Sequence, residues 1–433
     1  MPKRSAAKPR TPAIAPAGTK ASTPAKRPRA TTAPRRAPAG PATSKPPHLP
    51  SAAAIAEALS RWFTTARRPL PWRTGYHTRA SNPSAPSTPC RDPWVALMAE
   101  AMLQQTQVSR VIEYLDRFTA RFPTPAAMAA APESEVTAMW SGLGYYRRAR
   151  NLRACAIAIV EHHGGSVPHA VSDLLKLPGI GRYTAGAISS IVFGQPEPIV
   201  DGNVARVLLR IGGMPLDPQA RTTTDLLWHQ AAELAAAARS PGLTNEALME
   251  LGAICCTPRS PSCIICPLRP HCRAAADGTQ DQIPAAKKTS ARPQIRCTVL
   301  VITNPAGELL LQQRPASGLW AAMWQSPTLE SPAAAPGSTP PADPAAVLAA
   351  LNLKPQTYLK HIRPAGTFTH QTTHRELLFS VSTLALPRTI PAPTAPSAPS
   401  TTRWLPPADL TTLGLSNAAK KAITLATRRP ATS

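Results

Sequence analysis

Long apolar runs are absent from this chain: no stretch reaches the roughly 18 consecutive apolar residues that a membrane-spanning helix needs. No secretory signal peptide is recognisable either, so no membrane and a reducing, cytoplasmic compartment are expected, where disulfides do not persist. Acidic side chains are scarce. The 433 residues hold 23 Asp and Glu against 48 Lys and Arg, a formal charge of +25. Residues 1–50 contain eleven Lys/Arg, no Asp or Glu and almost no bulky apolar side chain. Such a segment cannot bury a core, and a disordered basic tail is expected there. An organelle transit peptide is also acid-poor and Arg-rich, but the regular prolines of this tail oppose the amphipathic helix that targeting requires. Beyond the tail, 37 basic residues still face 23 acidic ones, so the body of the chain keeps a charge of +14. That surplus fits a polyanionic partner, most simply nucleic acid. A generally basic composition serving solubility is the alternative.

The length suits two domains with tails. Over residues 51–280 the pattern is helical. Val108, Val111, Ile112, Leu115 and Phe118 share one helical face, and Asp92-Pro93 reads as an N-cap and first helical position. The Pro- and Ser-rich residues 81–89 read as a surface loop, and the polar, Lys-rich residues 281–293 as a linker. The period then changes. Ile295–Ile302 and Leu309–Gln312 read as strands separated by the turn Asn304-Pro-Ala-Gly307, and residues 331–345 and 387–401 as insertions rich in Pro, Ala and Ser. A mainly α domain over 51–280, a smaller α+β domain over 294–425 and a tail over 426–433 are expected, with no internal repeat.

Four of the eight cysteines crowd into Cys256-x6-Cys263-x2-Cys266-x5-Cys272. The others, Cys90, Cys155, Cys255 and Cys297, follow no ligand spacing, and Cys255 adjoins a ligand position but is out of register. Four thiolates in one 17-residue loop make a metal or cluster cage, which a chain of this size does not need merely to fold. Tetrahedral zinc also accepts four thiolates. The x6-x2-x5 spacing is not a usual zinc-ribbon pattern and resembles the [4Fe–4S] loop of the endonuclease III and MutY DNA glycosylases.

Upstream lies Leu177-Pro-Gly-Ile-Gly-Arg-Tyr-Thr-Ala-Gly-Ala-Ile188. Pro178 closes the preceding helix, Gly179 and Gly181 permit a tight hairpin, and a new helix opens near Arg182. Free N–H groups at that helix start, beside the hairpin, suit a phosphate without reading bases. An ordinary tight turn between helices is the plain alternative.

Two carboxylates stand in opposite surroundings. Glu100, in Trp94-Val-Ala-Leu-Met-Ala-Glu-Ala-Met-Leu-Gln-Gln-Thr-Gln107, has apolar neighbours on both sides and Gln104 on the same helical face. Desolvation there raises a carboxyl pKa and makes it a proton donor near neutral pH. Asp201, in Pro198-Ile-Val-Asp-Gly-Asn-Val204, sits where an extended segment enters a helix, and free N–H groups favour its anion. Separately they read as a salt-bridged Glu and an N-cap Asp. Together they supply the acid and the anion that breaking a glycosidic bond requires.

Taken with Leu70-Pro-Trp-Arg73, Gly142-Leu-Gly-Tyr-Tyr146 and Val200-Asp-Gly-Asn203, these segments resemble the MutY-type adenine DNA glycosylases, strongly over about residues 55–280 and weakly over 294–425. The resemblance implies a helix-hairpin-helix glycosylase domain, a [4Fe–4S] cluster on Cys256, Cys263, Cys266 and Cys272, and a Nudix-like recognition domain. It implies that Glu100 protonates adenine and that Asp201 stabilises or attacks the sugar cation, supported by Tyr183 and Asn203. Arg68, Trp72 and Glu246 match positions lining the extruded adenine, and Gln105 and Tyr145 match residues that enter the duplex. Gly179, Gly181 and Arg182 correspond to the phosphate-binding hairpin. Phe368-Thr369-His370 looks like the loop that reads 8-oxoguanine, with Thr369 where the family usually has Ser. No REx2E-type carboxylate cluster follows in the Nudix-like segment, so magnesium-dependent nucleotide hydrolysis is not expected. The implied substrate is double-stranded DNA with adenine opposite 8-oxoguanine or guanine, handled by a monomer. Endonuclease III-like enzymes carry a lysine at the position of Tyr183, which forms a Schiff base and nicks the strand. Tyr183 and the second domain therefore separate this chain from a damaged-pyrimidine enzyme. The presence of both Glu100 and Asp201 separates it from a non-catalytic damage-binding scaffold.

Overall fold

The computed structural model describes residues 51–74, 91–286, 292–332, 343–393 and 401–427, all within the compact unit Pro47–Ser433. The expected basic tail, the loop at 81–89 and residues 428–433 lie outside the described residues, as does Cys90. No helix among the described residues is long and apolar enough to cross a membrane.

The first part is helical. Pro93–Leu103 begins as expected: Asp92 accepts from the N–H groups of Trp94 and Val95, and Pro93 takes the first position, where no N–H is needed. The helix stops because Gln104 turns extended and Gln105 adopts a left-handed φ of +58°. Its buried face carries Trp94, Val95, Leu97, Met98, Ala99 and Met102, which pack with Val111, Leu115 and Phe118 of Val108–Arg121. Phe118 meets Trp140 edge-on at 5.6 Å, a contact that contributes about 1 kcal/mol beyond its buried area. A second core gathers Ile55, Leu59 and Phe63 of Ala52–Ala66, Val204 and Leu208 of Gly202–Ile211, and Leu248 and Leu251 of Pro241–Ile254. The short helix Arg182–Ala187 joins the two cores. Ala185 belongs to the first and Ala187 to the second, and a π-helical turn, Ile188–Val192, follows. π-turns inside helices concentrate at functional sites.

Residues at the start of the polar segment are packed. Ile283 is 2% exposed in the second core, its carbonyl accepts from Arg210 at 2.9 Å, and Ala285 N–H reaches Leu216 O at 3.1 Å. One buried isoleucine in a polar run is enough to anchor it.

The second part is built on one mixed seven-stranded sheet. Its strands are β1 (Gln294–Thr303), β2 (Leu309–Gln313), β3 (Trp324–Gln325), β4 (Thr328–Pro332), β5 (Arg363–Gln371), β6 (Glu376–Ala385) and β7 (Thr402–Leu405). The main order is β3-β2-β1-β6-β5, with β4 on β1 and β7 on β2. β1 runs parallel to β6 along its whole length and pairs with β2 at Thr303 and Leu309. Its apolar run Val299–Ile302 is buried on both faces, against Leu377, Phe379 and Val381 on one side and Val347, Leu348 and Leu384 on the other. The helix Asn417–Thr427 covers the first of these faces. Backbone carbonyls join the two parts: Tyr146 Oη donates to Leu415 O at 2.8 Å and Arg150 to Ala321 O at 2.6 Å.

Candidate active site

A cavity of about 560 Å³ opens where the two helical cores meet. Glu100, Tyr183, Asp201, Asn203, Glu246, Arg68, Trp72, Gln104 and Gln105 all line it, so the folding chain gathers residues that the sequence spreads over nearly 180 positions. Glu100 projects from the apolar helix Pro93–Leu103, and what exposure it keeps is to this cavity. Burial drives its carboxyl from 4.5 up to about 7. A hydrogen bond with Tyr183 opposes the rise, and the charges of Asp201 and Glu246 add to it. The Tyr183 hydroxyl also points at Met249 Sδ, 3.0 Å away, and burial and the neighbouring carboxylates push its own pKa well up, which keeps it a neutral donor.

Asp201 caps Gly202–Ile211. One carboxylate oxygen accepts from Val204 N–H at 2.7 Å and the other from Asn203 Nδ2 at 3.3 Å. The sequence argument expects these donors to hold the group fully anionic. The donors do lower the pKa, but burial outweighs them and the net direction is up. Burial thus raises both carboxyls of the cavity, Glu100 to about 7.

The far wall is an ionic lattice that sequence reading largely missed. Arg68 grips Glu250 with Nε at 2.7 Å and Nη2 at 2.8 Å, and Arg73 bridges Glu250 and Glu246 at 3.1 Å each. Arg91 holds Glu246 through two bonds of 2.9 and 2.6 Å. Burial alone would raise Glu250, but the bonds from Arg68 and Arg73 together hold it at about 2. Glu246 and Glu250 stand four residues apart on one helix, and Arg73 closes the Leu-Pro-Trp-Arg motif. Those were the available signals; Arg91 offered none.

Gln105 and Tyr145 sit on adjoining loops in left-handed backbone, φ +58° and +49°. Tyr145 is 49% exposed, which is unusual for a large aromatic, and its hydroxyl shares a 2.7 Å hydrogen bond with Thr373 of the second part. In the hairpin, Gly179 has φ +79° and a Cβ there would meet Asn151 at 2.6 Å, as the tight turn requires. Gly181 needs no special backbone. It is the N-cap of Arg182–Ala187, with ordinary φ and open space around it, so no contact within the fold requires a glycine there. Arg182 stacks over Trp228 at 3.8 Å.

Gly202–Ile211 also reaches the cysteine loop. Arg206 joins Asn203 Oδ1 (2.9 Å) to the carbonyl of Cys256 (2.8 Å), and Arg210 donates to Cys256 Sγ at 3.3 Å. Cys256, Cys263, Cys266 and Cys272 border one recess with Arg210 and Arg269. Cys255, set aside by spacing, borders it as well, with its side chain hydrogen-bonded to that of Cys266. Among the described residues no three His, Cys, Asp or Glu side chains are gathered around the position of a single metal ion. Four thiols from one loop around one recess, with guanidinium groups beside them, fit an anionic thiolate-bound cluster.

Phe368, Thr369 and His370 do not form a loop. They lie in β5, paired with Phe379, Leu378 and Leu377 of β6, just before the turn at 372–375. The alternation of a strand sends Phe368 inward to stack on Phe379 at 4.6 Å, under Lys421, and leaves Thr369 exposed on the opposite face. His370 tilts against Trp320 at 5.5 Å. Burial and the nearby Lys421 lower its pKa, which favours the neutral ring.

Comparison with known proteins agrees with both halves of the chain. A family described as "HhH-GPD superfamily base excision DNA repair protein" matches residues 98–233, and one described as "NUDIX domain" matches residues 298–425. The adenine DNA glycosylase of Homo sapiens is 35% identical, over 85% of this chain and 73% of its own. That of Rattus norvegicus is 35% identical over 85% and 77%. That of Mycolicibacterium smegmatis is 42% identical over 51% and 69%. With the Homo sapiens and Rattus norvegicus proteins this similar over most of both chains, the chain belongs to the adenine DNA glycosylase family.

Proposed function

We propose that this protein is a monofunctional DNA glycosylase that hydrolyses the N-glycosidic bond of adenine opposite 8-oxoguanine or guanine in base excision repair. The observation that carries the reading is the pair of carboxyls in one cavity, one protonated up to about pH 7 and the other a helix-capping anion. Glu100 gives its proton to a ring nitrogen of adenine as the bond to the sugar breaks, so the base leaves neutral. Asp201 faces the cationic sugar and stabilises it or bonds to it transiently. Water then supplies the hydroxyl at the sugar carbon and its proton passes to a carboxylate. Tyr183 holds the Glu100 carboxyl in place and Asn203 that of Asp201.

Arg68, Trp72 and Glu246 line the space for an extruded adenine, and extrusion is what a base inside a duplex requires before chemistry. Gln105 and Tyr145 enter the opened duplex. Gly179, Gly181 and Arg182 hold a phosphate, and Thr369 with its neighbours Phe368 and His370 reads the base opposite adenine. Cys256, Cys263, Cys266 and Cys272 would hold a [4Fe–4S] cluster whose part is structural, because hydrolysis transfers no electrons. Bound there, it would tie down the loop that presents the exposed Arg259 and Arg269 to phosphates. Tyr183 forms no Schiff base, so lyase activity is at most weak and abasic strands are not cut rapidly without heat or alkali. Functionally the chain divides into a glycosylase domain over 51–280 and a lesion-recognition domain over 294–425, working as a monomer.

The test is single-turnover adenine release from duplexes with adenine opposite 8-oxoguanine, guanine or thymine, with thymine-glycol DNA as control. Fast release opposite 8-oxoguanine and guanine alone is expected. Cleavage of thymine-glycol DNA alone would assign the endonuclease III-like activity instead, and binding without release would leave a damage-binding scaffold.

A further inference from the structure

Gln105 and Tyr145 share an unusual feature: both hold left-handed backbone, which a side chain with a Cβ resists. One guanidinium supports both. Arg148 Nη1 donates to the carbonyls of Ala101 (3.0 Å), Met102 (2.8 Å) and Gln104, and Nη2 to Thr106 Oγ1 at 3.0 Å. Nη2 also donates to the carbonyls of Leu143 (3.3 Å) and Gly144 (3.1 Å) in the other loop. The helix Pro93–Leu103 has no basic residue in its own last turn, so Arg148 is the cation that meets its unpaired carbonyls. The guanidinium lies over the rings of Trp140 at 5.2 Å and Tyr145 at 5.5 Å. Among the described residues it forms no ion pair with a carboxylate, and burial lowers its pKa to about 10. Keeping a cation there without a counter-ion is costly, and what it secures is the shape of two loops at once.

We propose that Arg148 is the positioning residue of the duplex-entering pair, holding the Gln105 and Tyr145 loops as one rigid unit. This rests on the reading that those two side chains enter the duplex. A lysine cannot replace the fork, because its ammonium is a single point and the acceptors are divided between the two terminal nitrogens of the guanidinium.

The experiment is a mutant cycle on the full-length protein: Arg148→Lys, the pair Gln105→Ala with Tyr145→Ala, and all three together. Affinity is measured for a duplex with adenine opposite 8-oxoguanine, made uncleavable by a 2′-fluorine on the adenosine, and for its matched counterpart. Arg148→Lys is expected to weaken mispair-specific binding by roughly tenfold, as losing shared charged hydrogen bonds does. In the background lacking both inserted side chains, the same substitution is expected to change affinity by less than about twofold. An equal loss in both backgrounds would show a merely structural arginine and overturn the proposal. Full mispair-specific binding by the Gln105→Ala, Tyr145→Ala protein would instead overturn the insertion reading, and this proposal with it. Should Arg148→Lys fail to fold, Thr106→Val removes one of the six bonds and enters the same cycle, with a loss of about threefold expected only when the inserted side chains are present.

Discussion

Replacing Glu100 with Gln tests the central electrostatic claim through two independent quantities. The carboxyl is displaced from 4.5 to about 7 by burial. A raised carboxyl pKa means the folded state binds the proton more tightly than the unfolded chain. Stability is then lost as pH climbs from the unfolded value to the folded one, and stays lost above it. The displacement corresponds to about 3 kcal/mol of destabilisation at pH 8 that is largely absent near pH 4.5. Glu100→Gln removes the titration while nearly preserving shape. Denaturant unfolding at pH 5 and pH 8 is therefore expected to find the variant's advantage over the parent growing by about 2–3 kcal/mol across that interval. In the parent, the single-turnover release rate depends on the protonated form, so it falls about tenfold per pH unit well above pH 7. In the variant, release is lost while mispair binding is kept. A stability difference that does not change with pH would refute the burial argument. Undiminished release by the variant would remove Glu100 from the chemistry.

Asp201→Asn leaves the helix cap but no anion beside the sugar, and single-turnover release is expected to fall by roughly 10³-fold with binding retained. Because burial raises Asp201 too, the acid limb of the pH–rate profile should lie above the usual aspartate range; a limb at or below that range would contradict it. Glu250→Gln deprives Arg68 and Arg73 of their shared partner, and urea unfolding is expected to find a loss of about 3 kcal/mol, where an unchanged midpoint would mean water already screens the lattice. Cys263→Ser should lower iron content and the cluster's visible absorbance in purified protein, while Cys155→Ser, at a buried thiol far from the loop in sequence, should leave both unchanged.

Local signals were strong where physics is local. The Asp92-Pro93 start, the Gly179 hairpin and the Asp201 cap each depend on a few neighbouring residues, and each forms as the sequence indicates. Where the expectation failed, a longer-range term had won. Phe368-Thr369-His370 became strand because β6 supplies hydrogen-bond partners from across a turn. Asp201 shifted upward because desolvation in a shared cavity exceeded its two local donors. Ile283 alone anchors its polar segment on the second core.

The sequence by itself determined the reagents: a carboxyl in an apolar helix, a second at a helix start, four spaced cysteines and a Gly-rich hairpin between helices. Tertiary structure alone decided their states and couplings. The Glu246–Glu250 lattice with Arg68, Arg73 and Arg91, the span of Gly202–Ile211 from Asp201 to the cysteine loop, and the grip of Arg148 on the Gln105 loop all join residues distant in the chain. Charge interactions and desolvation act through space, and a linear pattern records which groups are present but not the low-dielectric surroundings that set their pKa values.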